Sequence, residues 1–166
     1  MKRRDFLYGG TAAAAVLGVA ALWRTGASVP AQAETFEITK TEEEWKAILT
    51  PEQFAVLRKE DTEYPGTSPL LHEKRKGAFN CAGCDLPLYS SETKYDSGTG
   101  WPSFWEALPN AVASKLDKSL MMERIECHCR RCGGHLGHIF DDGPPPTGMR
   151  HCINGLALNF RPASAA

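Results

Sequence analysis

Four of the six cysteines form two pairs with the spacing of metal ligands. Cys81 and Cys84 are one C-x-x-C pair, and Cys129 and Cys132 are the second, with 44 residues between the pairs. Two thiolates on one tight turn can occupy adjacent corners of a tetrahedron, so two such pairs supply a closed four-thiolate zinc site. Disulfides are the alternative in an oxidising compartment, but a disulfide within C-x-x-C closes only a very small loop. We therefore predict one structural zinc ion per chain, with no coordination position left for chemistry.

Cys152 lies in a different setting, with Arg150 and His151 before it and Asn154 after it. A neighbouring cation lowers the pKa of a thiol from about 8.5 toward neutrality and so favours the thiolate, which is the nucleophilic form. If residues 151–160 form one strand, the Cys152 thiol and the Asn154 amide lie on the same face. The pattern predicts an activated cysteine, and a buried inert cysteine is the equally simple alternative.

Two histidines and a tryptophan are further candidates for a site. His135 and His138 stand three residues apart, and a straight strand would send them to opposite faces. Gly137 between them permits a bulge that could bring both imidazoles into one pocket. Trp101 belongs to a glycine-flanked turn, residues 98–105, that presents aromatic side chains, for which ordinary core packing is the alternative.

Short strands must position most of these residues. The 166-residue chain has 15 Gly and 11 Pro, which favours many turns and short strands over a helical bundle. Residues with strand-like composition occupy 86–89, 119–125, 136–140 and 152–160.

Two capping boxes precede the strands and predict two short helices. Thr41 with Glu44 opens the first helix, which extends through Leu49, and Thr50 with Gln53 opens the second, which fades by residue 61. We therefore predict a mainly β, α+β domain: an antiparallel β-sheet core with short N-terminal helices, stapled by the four-cysteine zinc site.

Residues 1–33 have the pattern of an export signal. A charged start with Arg3 and Arg4 is followed by an apolar stretch over 8–23, and 31–33 is a small-x-small pattern that predicts cleavage before Glu34. A membrane anchor is the alternative, but the apolar stretch is shorter than the roughly 18–20 residues that a span needs. The paired arginines resemble the twin-arginine signal read by export machinery, and they predict an exported, periplasmic protein.

The remaining residues, 34–166, are predicted to form one catalytic domain. Charged residues are 23% of the chain and hydrophobic residues 42%, which excludes a disordered polyelectrolyte and a multi-span membrane protein. The chain has a net charge of −1, and because residues 1–33 carry a net +3, the mature part is acidic. A nucleic-acid binder normally has a basic excess, so we expect no nucleic-acid partner.

Together these motifs resemble the type B methionine sulfoxide reductases. The resemblance is carried by residues 97–104, 134–144 and 146–154, and both C-x-x-C pairs fall at the zinc positions of that family. It runs from about residue 41 to residue 160. It implies reduction of the R epimer of methionine sulfoxide in proteins or peptides, a repair of oxidative damage. It also implies that Cys152 attacks the sulfoxide sulfur and becomes a sulfenic acid, which a thioredoxin-like or other thiol must reduce.

The resemblance further implies roles for the residues around this nucleophile. His135, His138 and Asn154 match the polar residues around the sulfoxide oxygen, which must gain protons to leave. Trp101 matches the aromatic residue that packs the S-methyl group of the substrate. Arg150 matches a residue that supports the anionic nucleophile.

The sequence departs from the common pattern of the family at four positions. Thr99 stands where many members carry a resolving cysteine, so the usual disulfide with the nucleophile cannot form. Cys127 is the spare thiol and is a possible resolving residue, although its simplest reading is a buried core cysteine, which favours direct reduction by an external thiol. His151 replaces the usual Tyr, Gly155 the usual Ser and Ile139 the usual Val.

Three other functions fit parts of the sequence. A zinc-ribbon binding module fits the cysteine pairs, but the acidic mature charge argues against it. A thiol–disulfide oxidoreductase would use a C-x-x-C pair for redox chemistry, which tightly bound zinc prevents. A cysteine hydrolase could use Cys, His and Asn, but it needs an oxyanion hole and a hydrolysable substrate. Nothing in the sequence indicates an obligate dimer, and we expect a monomer.

Overall fold

The computed structural model describes residues 35–164, which begin with two short helices. Helix α1 spans Glu42–Ile48 and helix α2 spans Pro51–Lys59. Each N-cap threonine accepts a hydrogen bond at 3.2 Å from the backbone N–H three residues ahead, and the Glu44 or Gln53 side chain accepts one in return from the N-cap N–H. Both capping boxes and both predicted helices are therefore confirmed.

Within residues 35–164, nine strands form two antiparallel sheets. The strands are β1 Gly77–Cys81, β2 Pro87–Ser90, β3 Lys94–Tyr95, β4 Ser103–Phe104, β5 Val112–Asp117, β6 Arg124–Cys129, β7 His135–Phe140, β8 Arg150–Ile153 and β9 Leu158–Pro162. The small sheet has the order β2-β1-β9, and the large sheet has the order β3-β4-β8-β7-β6-β5. The predicted fold class is confirmed. No helix in the described part of the chain is long and apolar enough to cross a membrane, and the predicted signal at 1–33 lies outside the described residues.

The core lies between the two sheets. Tyr89 of the small sheet stacks on Phe104 of the large sheet with ring centroids 4.3 Å apart, and Phe79 meets Phe104 edge to face at 5.0 Å. All three rings are fully buried. Trp45 from α1 and Leu57 from α2 belong to the same core cluster, so the helices cover one end of the sheets.

The register of the large sheet aligns two rows of residues across β4, β8, β7 and β6. The first row is Ser103, Cys152, His138 and Glu126. The second row is Phe104, His151, Ile139 and Ile125. Directly opposed residues share a face and consecutive residues point to opposite faces. Because Phe104 packs into the core, the second row faces the small sheet and the first row, with Cys152, faces away from it.

Two of the predicted strands differ from those observed. The segment 152–160 is divided by a 3-10 turn at Gly155–Ala157, so Cys152 and Asn154 do not lie on one continuous strand. The carboxylate of Glu63 accepts hydrogen bonds from Gly155 N at 2.6 Å and Leu156 N at 2.9 Å, and these amides are thereby withdrawn from strand pairing.

The predicted strand 119–125 begins late, at Arg124 in β6. Residues Ser119–Met121 form a 3-10 turn instead. Asp117 accepts a hydrogen bond from Ser119 N at 2.8 Å, which is the side-chain-to-backbone bond by which aspartate initiates turns.

Candidate active site

A bulge in β7 brings the two candidate histidines to one face. The pairing of β6 with β7 slips by one residue between His135 and Gly137. As a result His135 and His138 meet edge to face, with ring centroids 5.5 Å apart. A Cβ at residue 137 would collide with the carbonyl oxygen of Cys152, so only glycine permits the close approach of β7 to β8. The bulge predicted at Gly137 is confirmed.

His135 is buried and held by a carboxylate. Its Nδ1 lies 2.7 Å from Glu126 Oε1, and Lys115 Nζ lies 2.9 Å from the other oxygen of the same carboxylate. Burial raises the pKa of Glu126, but the contacts with His135 and Lys115 outweigh it and keep the pKa below its usual range. Among residues 35–164, His135 Nε2 is buried without a hydrogen-bond partner, and the His135 side chain borders a cavity.

His138 has its own carboxylate partner. Asp117 Oδ2 lies 2.9 Å from His138 Nε2 and 2.6 Å from Arg124 Nη2. Backbone contact with Ser119 and the bond with His138 lower the pKa of Asp117, whereas burial lowers the pKa of His138 despite that bond. Asp117 is therefore ionised, and it holds the proton of a neutral His138 on Nε2.

Cys152 lies in β8 directly between His138 and Ser103, and it is partly buried. Burial raises the pKa of its thiol and outweighs the nearby Thr99 hydroxyl and Arg150 guanidinium, which lower it. The lowered pKa predicted from the sequence is therefore not observed, and His151 does not contribute because it contacts Tyr89 on the other face of the sheet. The positive charge of Arg150 is partly neutralised by Asp142, whose carboxylate accepts two hydrogen bonds of 2.8 and 2.9 Å from the guanidinium group.

A cavity of about 140 Å³ collects the candidate residues. Cys152, Trp101, His138 and Asn154 line it together with Phe140. His138 also borders the larger neighbouring cavity that contains His135. The structure thus brings a thiol, an indole and two carboxylate-backed imidazoles to one region of the surface.

Asn154 and Trp101 are anchored to the same backbone segment. Asn154 Oδ1 accepts from Glu63 N at 3.0 Å, and Asn154 Nδ2 donates to Leu136 O at 3.0 Å. Trp101 Nε1 donates to Glu63 O at 3.0 Å. The Asn154 amide is therefore committed largely to backbone, and it fixes the loop that orients the indole.

Cys127 lies on the opposite face of the large sheet from Cys152. It has no exposed surface, and its Sγ is 3.4 Å from the Tyr89 hydroxyl, which lies 3.1 Å from His151 Nδ1. Burial raises the pKa of the Cys127 thiol to about 12. Burial also lowers the pKa of His151 to about 4. The Tyr89 hydroxyl therefore meets a neutral imidazole on one side and a protonated thiol on the other.

Acid is expected to weaken the fold through His151. Its folded pKa of about 4 lies below the unfolded value of about 6.5, so its contribution is complete above pH 6.5 and is lost as the pH falls toward 4. Between pH 7 and pH 5 the loss is about 2 kcal/mol of unfolding free energy. Urea unfolding of the parent and of His151→Phe at both pH values measures it.

The variant is expected to be less stable at pH 7, because the Tyr89 hydroxyl loses one of its two partners, but to have a flatter pH dependence. Replacing the exposed His72 with Phe is the matched control and should leave the parent slope unchanged. Equal slopes for the parent and His151→Phe would show that His151 does not carry the effect.

The four paired cysteines converge in one cluster. The sulfur atoms of Cys81, Cys84, Cys129 and Cys132 all lie within 4.8 Å of one another. A tetrahedral zinc ion with bonds of about 2.3 Å requires sulfur separations of about 3.8 Å. The spacing therefore fits a four-thiolate metal site. Because Cys81 ends β1 and Cys129 ends β6, an ion here joins the small sheet to the large one.

The two cysteine turns have the same local geometry. In each, the backbone N–H four residues after the first cysteine donates to the carbonyl of that cysteine at 2.8 Å. The donors are Asp85 and Gly133, both with left-handed φ values of 58° and 66°. Phe36 covers the second turn, since a Cβ at residue 133 would collide with its ring.

Sequence reasoning did not identify Glu126, Asp117 or Glu63 as parts of the site. Each reaches its partner across sheet pairing or from a distant loop, and no local motif marks such contacts. It did place Cys152, His135, His138, Trp101 and Asn154 together, and they border adjoining cavities.

Comparison with known proteins assigns the family. The SelR domain model matches residues 49–162, and the chain therefore belongs to the SelR domain family. Its relatives are type B methionine sulfoxide reductases. The peptide methionine sulfoxide reductase MsrB of Methanosarcina barkeri is 54% identical over 125 residues, 75% of this chain and 88% of the relative. The MsrB of Pseudomonas putida is 50% identical over 131 residues, 78% of this chain and 98% of the relative. The B3 enzyme of Arabidopsis thaliana is 45% identical over 142 residues, 84% of this chain and 80% of the relative.

Proposed function

We propose that this protein reduces the R epimer of methionine sulfoxide in oxidised proteins or peptides to methionine. The observation that carries the proposal is the convergence of Cys152, Trp101 and His138 on one cavity, with His135 bordering the neighbouring one. Membership of the SelR family supports the substrate class. An indole that takes the methyl group on one side and imidazoles that take the oxygen on the other would make the site selective for one epimer, and the R epimer is the one that the family resemblance implies.

In the proposed reaction, the Cys152 thiolate attacks the sulfur of the sulfoxide. A sulfur–sulfur bond forms transiently and the sulfoxide oxygen takes up a proton. The oxygen then passes from the methionine sulfur to the Cys152 sulfur, the sulfur–sulfur bond breaks, and methionine departs, leaving Cys152 as a sulfenic acid. The cysteine sulfur is oxidised by two electrons and the methionine sulfur is reduced by two.

The two histidines supply and orient the proton. Glu126 fixes Nδ1 of His135, which leaves Nε2 for the substrate oxygen. Asp117 fixes Nε2 of His138. An imidazole must carry a second proton before it can donate one, and the carboxylate that each ring contacts favours this cationic form. The ring returns to the neutral form when the sulfoxide oxygen takes the proton.

We further propose that an external thiol, of a thioredoxin-like protein or a small molecule, reduces the sulfenic acid. Two thiol hydrogens are consumed, one water leaves, and a disulfide of the reductant is the product. Cys127 remains the alternative resolving thiol, but it points into the core from the other face of the sheet. Thr99, which lies beside Cys152, has no thiol and cannot form a disulfide.

We propose zinc as the metal held by Cys81, Cys84, Cys129 and Cys132. Four thiolates in tetrahedral spacing favour zinc among common ions, and a closed set of ligands stabilises the fold without taking part in the reaction. Metal analysis of the purified protein should give one zinc per chain.

The twin-arginine export and periplasmic location remain proposals that rest on residues 1–33, and a mature N-terminus at Glu34 is their test. We also propose that the protein acts as a monomer.

Separated epimers of a methionine sulfoxide peptide test the function. With dithiothreitol as reductant, residues 34–166 loaded with zinc should convert the R epimer and leave the S epimer unchanged. Mass spectrometry of the peptide measures the loss of one oxygen. Conversion of both epimers would overturn the assigned chirality, and conversion of neither by folded, metal-loaded protein would overturn the function.

A further inference from the structure

Three hydroxyl groups form a line that ends at the Cys152 thiol. Thr99 Oγ1 lies 3.9 Å from Cys152 Sγ and 2.9 Å from Ser97 Oγ. Ser97 Oγ lies 2.7 Å from Ser103 Oγ, which lies 3.1 Å from the carbonyl oxygen of Trp101. Ser103 is fully buried beside Cys152 in the sheet.

The number of hydrogens fixes the direction of these bonds when Cys152 is a thiol. Each hydroxyl has one hydrogen to donate. A carbonyl only accepts, so Ser103 donates to Trp101, Ser97 to Ser103, and Thr99 to Ser97. The hydrogen of Thr99 is then used, and Cys152 S–H is the donor to Thr99.

Loss of the thiol proton removes the first donor of the line. The Thr99 oxygen would then present a lone pair to an anion, which is unfavourable. Reversal of all three hydroxyls restores the match: Thr99 donates to the thiolate, Ser97 to Thr99, and Ser103 to Ser97. The reversal gives up only the bond of 3.1 Å to the Trp101 carbonyl, in exchange for a hydrogen bond to a charged acceptor.

We propose that Thr99, Ser97 and Ser103 form a reversible hydroxyl chain that stabilises the Cys152 thiolate. The proposal rests on the proposed function only in taking Cys152 as the nucleophile. Thr99 contacts the reacting sulfur, whereas Ser97 and Ser103 act through it as positioning residues. Polarised hydroxyls in series donate more strongly than one alone, so the chain is expected to favour the thiolate more than the Thr99 contact would.

Other groups around Cys152 act on it as well, from strands β3, β7 and β8 and from the loop that follows β7. Arg150 on the same strand favours the thiolate, and Asp142, which binds Arg150, opposes it. Tyr95 in β3 interacts electrostatically with Cys152, and His138 is its direct neighbour in β7. Each stays in place when a hydroxyl is removed from the chain, so hydroxyl variants isolate the contribution of the chain.

Alkylation by iodoacetamide from about pH 6 to pH 11 measures the thiolate fraction without any sulfoxide. The zinc-loaded protein is used, and the rate is followed by mass spectrometry of the peptide that contains Cys152. For Thr99→Val, which has the same shape without the hydroxyl, we expect the midpoint to rise by about one pH unit and the rate at pH 7 to fall about tenfold. The plateau rate at high pH should stay as in the parent, because full deprotonation makes the chain unnecessary.

Three further variants decide between a chain and a single contact. Ser97→Ala should shift the midpoint in the same direction as Thr99→Val by a smaller amount, Thr99→Ser should restore the parent midpoint, and Cys127→Ala should leave it unchanged. An unshifted midpoint in Thr99→Val would overturn the proposal, and so would a parent-like midpoint in Ser97→Ala. Because no sulfoxide is present, these outcomes are independent of whether the protein reduces methionine sulfoxide.

Discussion

Replacing Cys152 with serine is expected to remove sulfoxide reduction by roughly three orders of magnitude or more. A serine hydroxyl stays protonated at neutral pH and is a weak nucleophile. Even when deprotonated, its oxygen cannot accept the sulfoxide oxygen, whereas a cysteine sulfur can be oxidised to a sulfenic acid. The fold should survive, because the side chain is partly exposed and its hydrogen bond to Thr99 is long at 3.9 Å. We expect the free energy of unfolding to change by no more than about 1 kcal/mol.

The matched control is Cys127→Ala, which should lower the stability of the protein but leave its activity unchanged. Cys127 is fully buried against Tyr89, so loss of its sulfur should cost about 1–2 kcal/mol of stability. Turnover well below the melting temperature should be retained with dithiothreitol and with a thioredoxin-like donor. Full activity in Cys152→Ser would refute the nucleophile. Loss of thioredoxin-dependent turnover in folded Cys127→Ala would make Cys127 the resolving thiol.

Removal of the metal is expected to unfold the domain at physiological temperature. Structural zinc sites supply on the order of 10–16 kcal/mol of apparent binding free energy, which equals or exceeds the stability of a typical domain. Here the ion would also join β1 to β6 and thereby the two sheets. We expect a strong chelator, or Cys132→Ser, to lower the Tm by at least about 15 °C.

Calorimetry with and without chelator, alongside a colorimetric count of released zinc, measures this effect. Cys127→Ala is again the control, since it removes a buried cysteine two residues from Cys129 without touching the ligand set. A Tm within a few degrees of the parent after complete metal release would contradict a stapling role.

The parts of the fold that sequence reasoning predicted are those determined by a few adjacent residues. The capping boxes of Thr41 and Thr50 depend on contacts three residues apart, and both formed. The spacing within each C-x-x-C pair already places its two thiolates close together. The one further assumption needed to predict the metal site was that both pairs bind the same ion. Gly137 marked the bulge because its neighbour approaches too closely for a side chain.

The parts that sequence reasoning missed depend on contacts between distant residues. The strand predicted through Asn154 is interrupted because Glu63, some 90 residues earlier, binds the amides of Gly155 and Leu156. The carboxylate partners of the two histidines come from β5 and from β6, which lie next to β7 in the same sheet. A shift of one residue in the register of these strands would have placed other side chains beside the histidines. Secondary-structure propensity and hydrophobic periodicity carry no information on the contacts of Glu63 or on the register of the strands.

The cysteine pairs lie on either side of an exposed turn. Cys81 and Cys84 precede the turn at Ser119–Met121, whereas Cys129 and Cys132 follow it. A protease that cut this turn would leave two polypeptides, each with half of the thiolates and with strands that pair across the cut. The metal ion would then hold two separate polypeptides together, since each would supply two of its four ligands. A domain cut at this turn could therefore remain assembled as a two-chain complex.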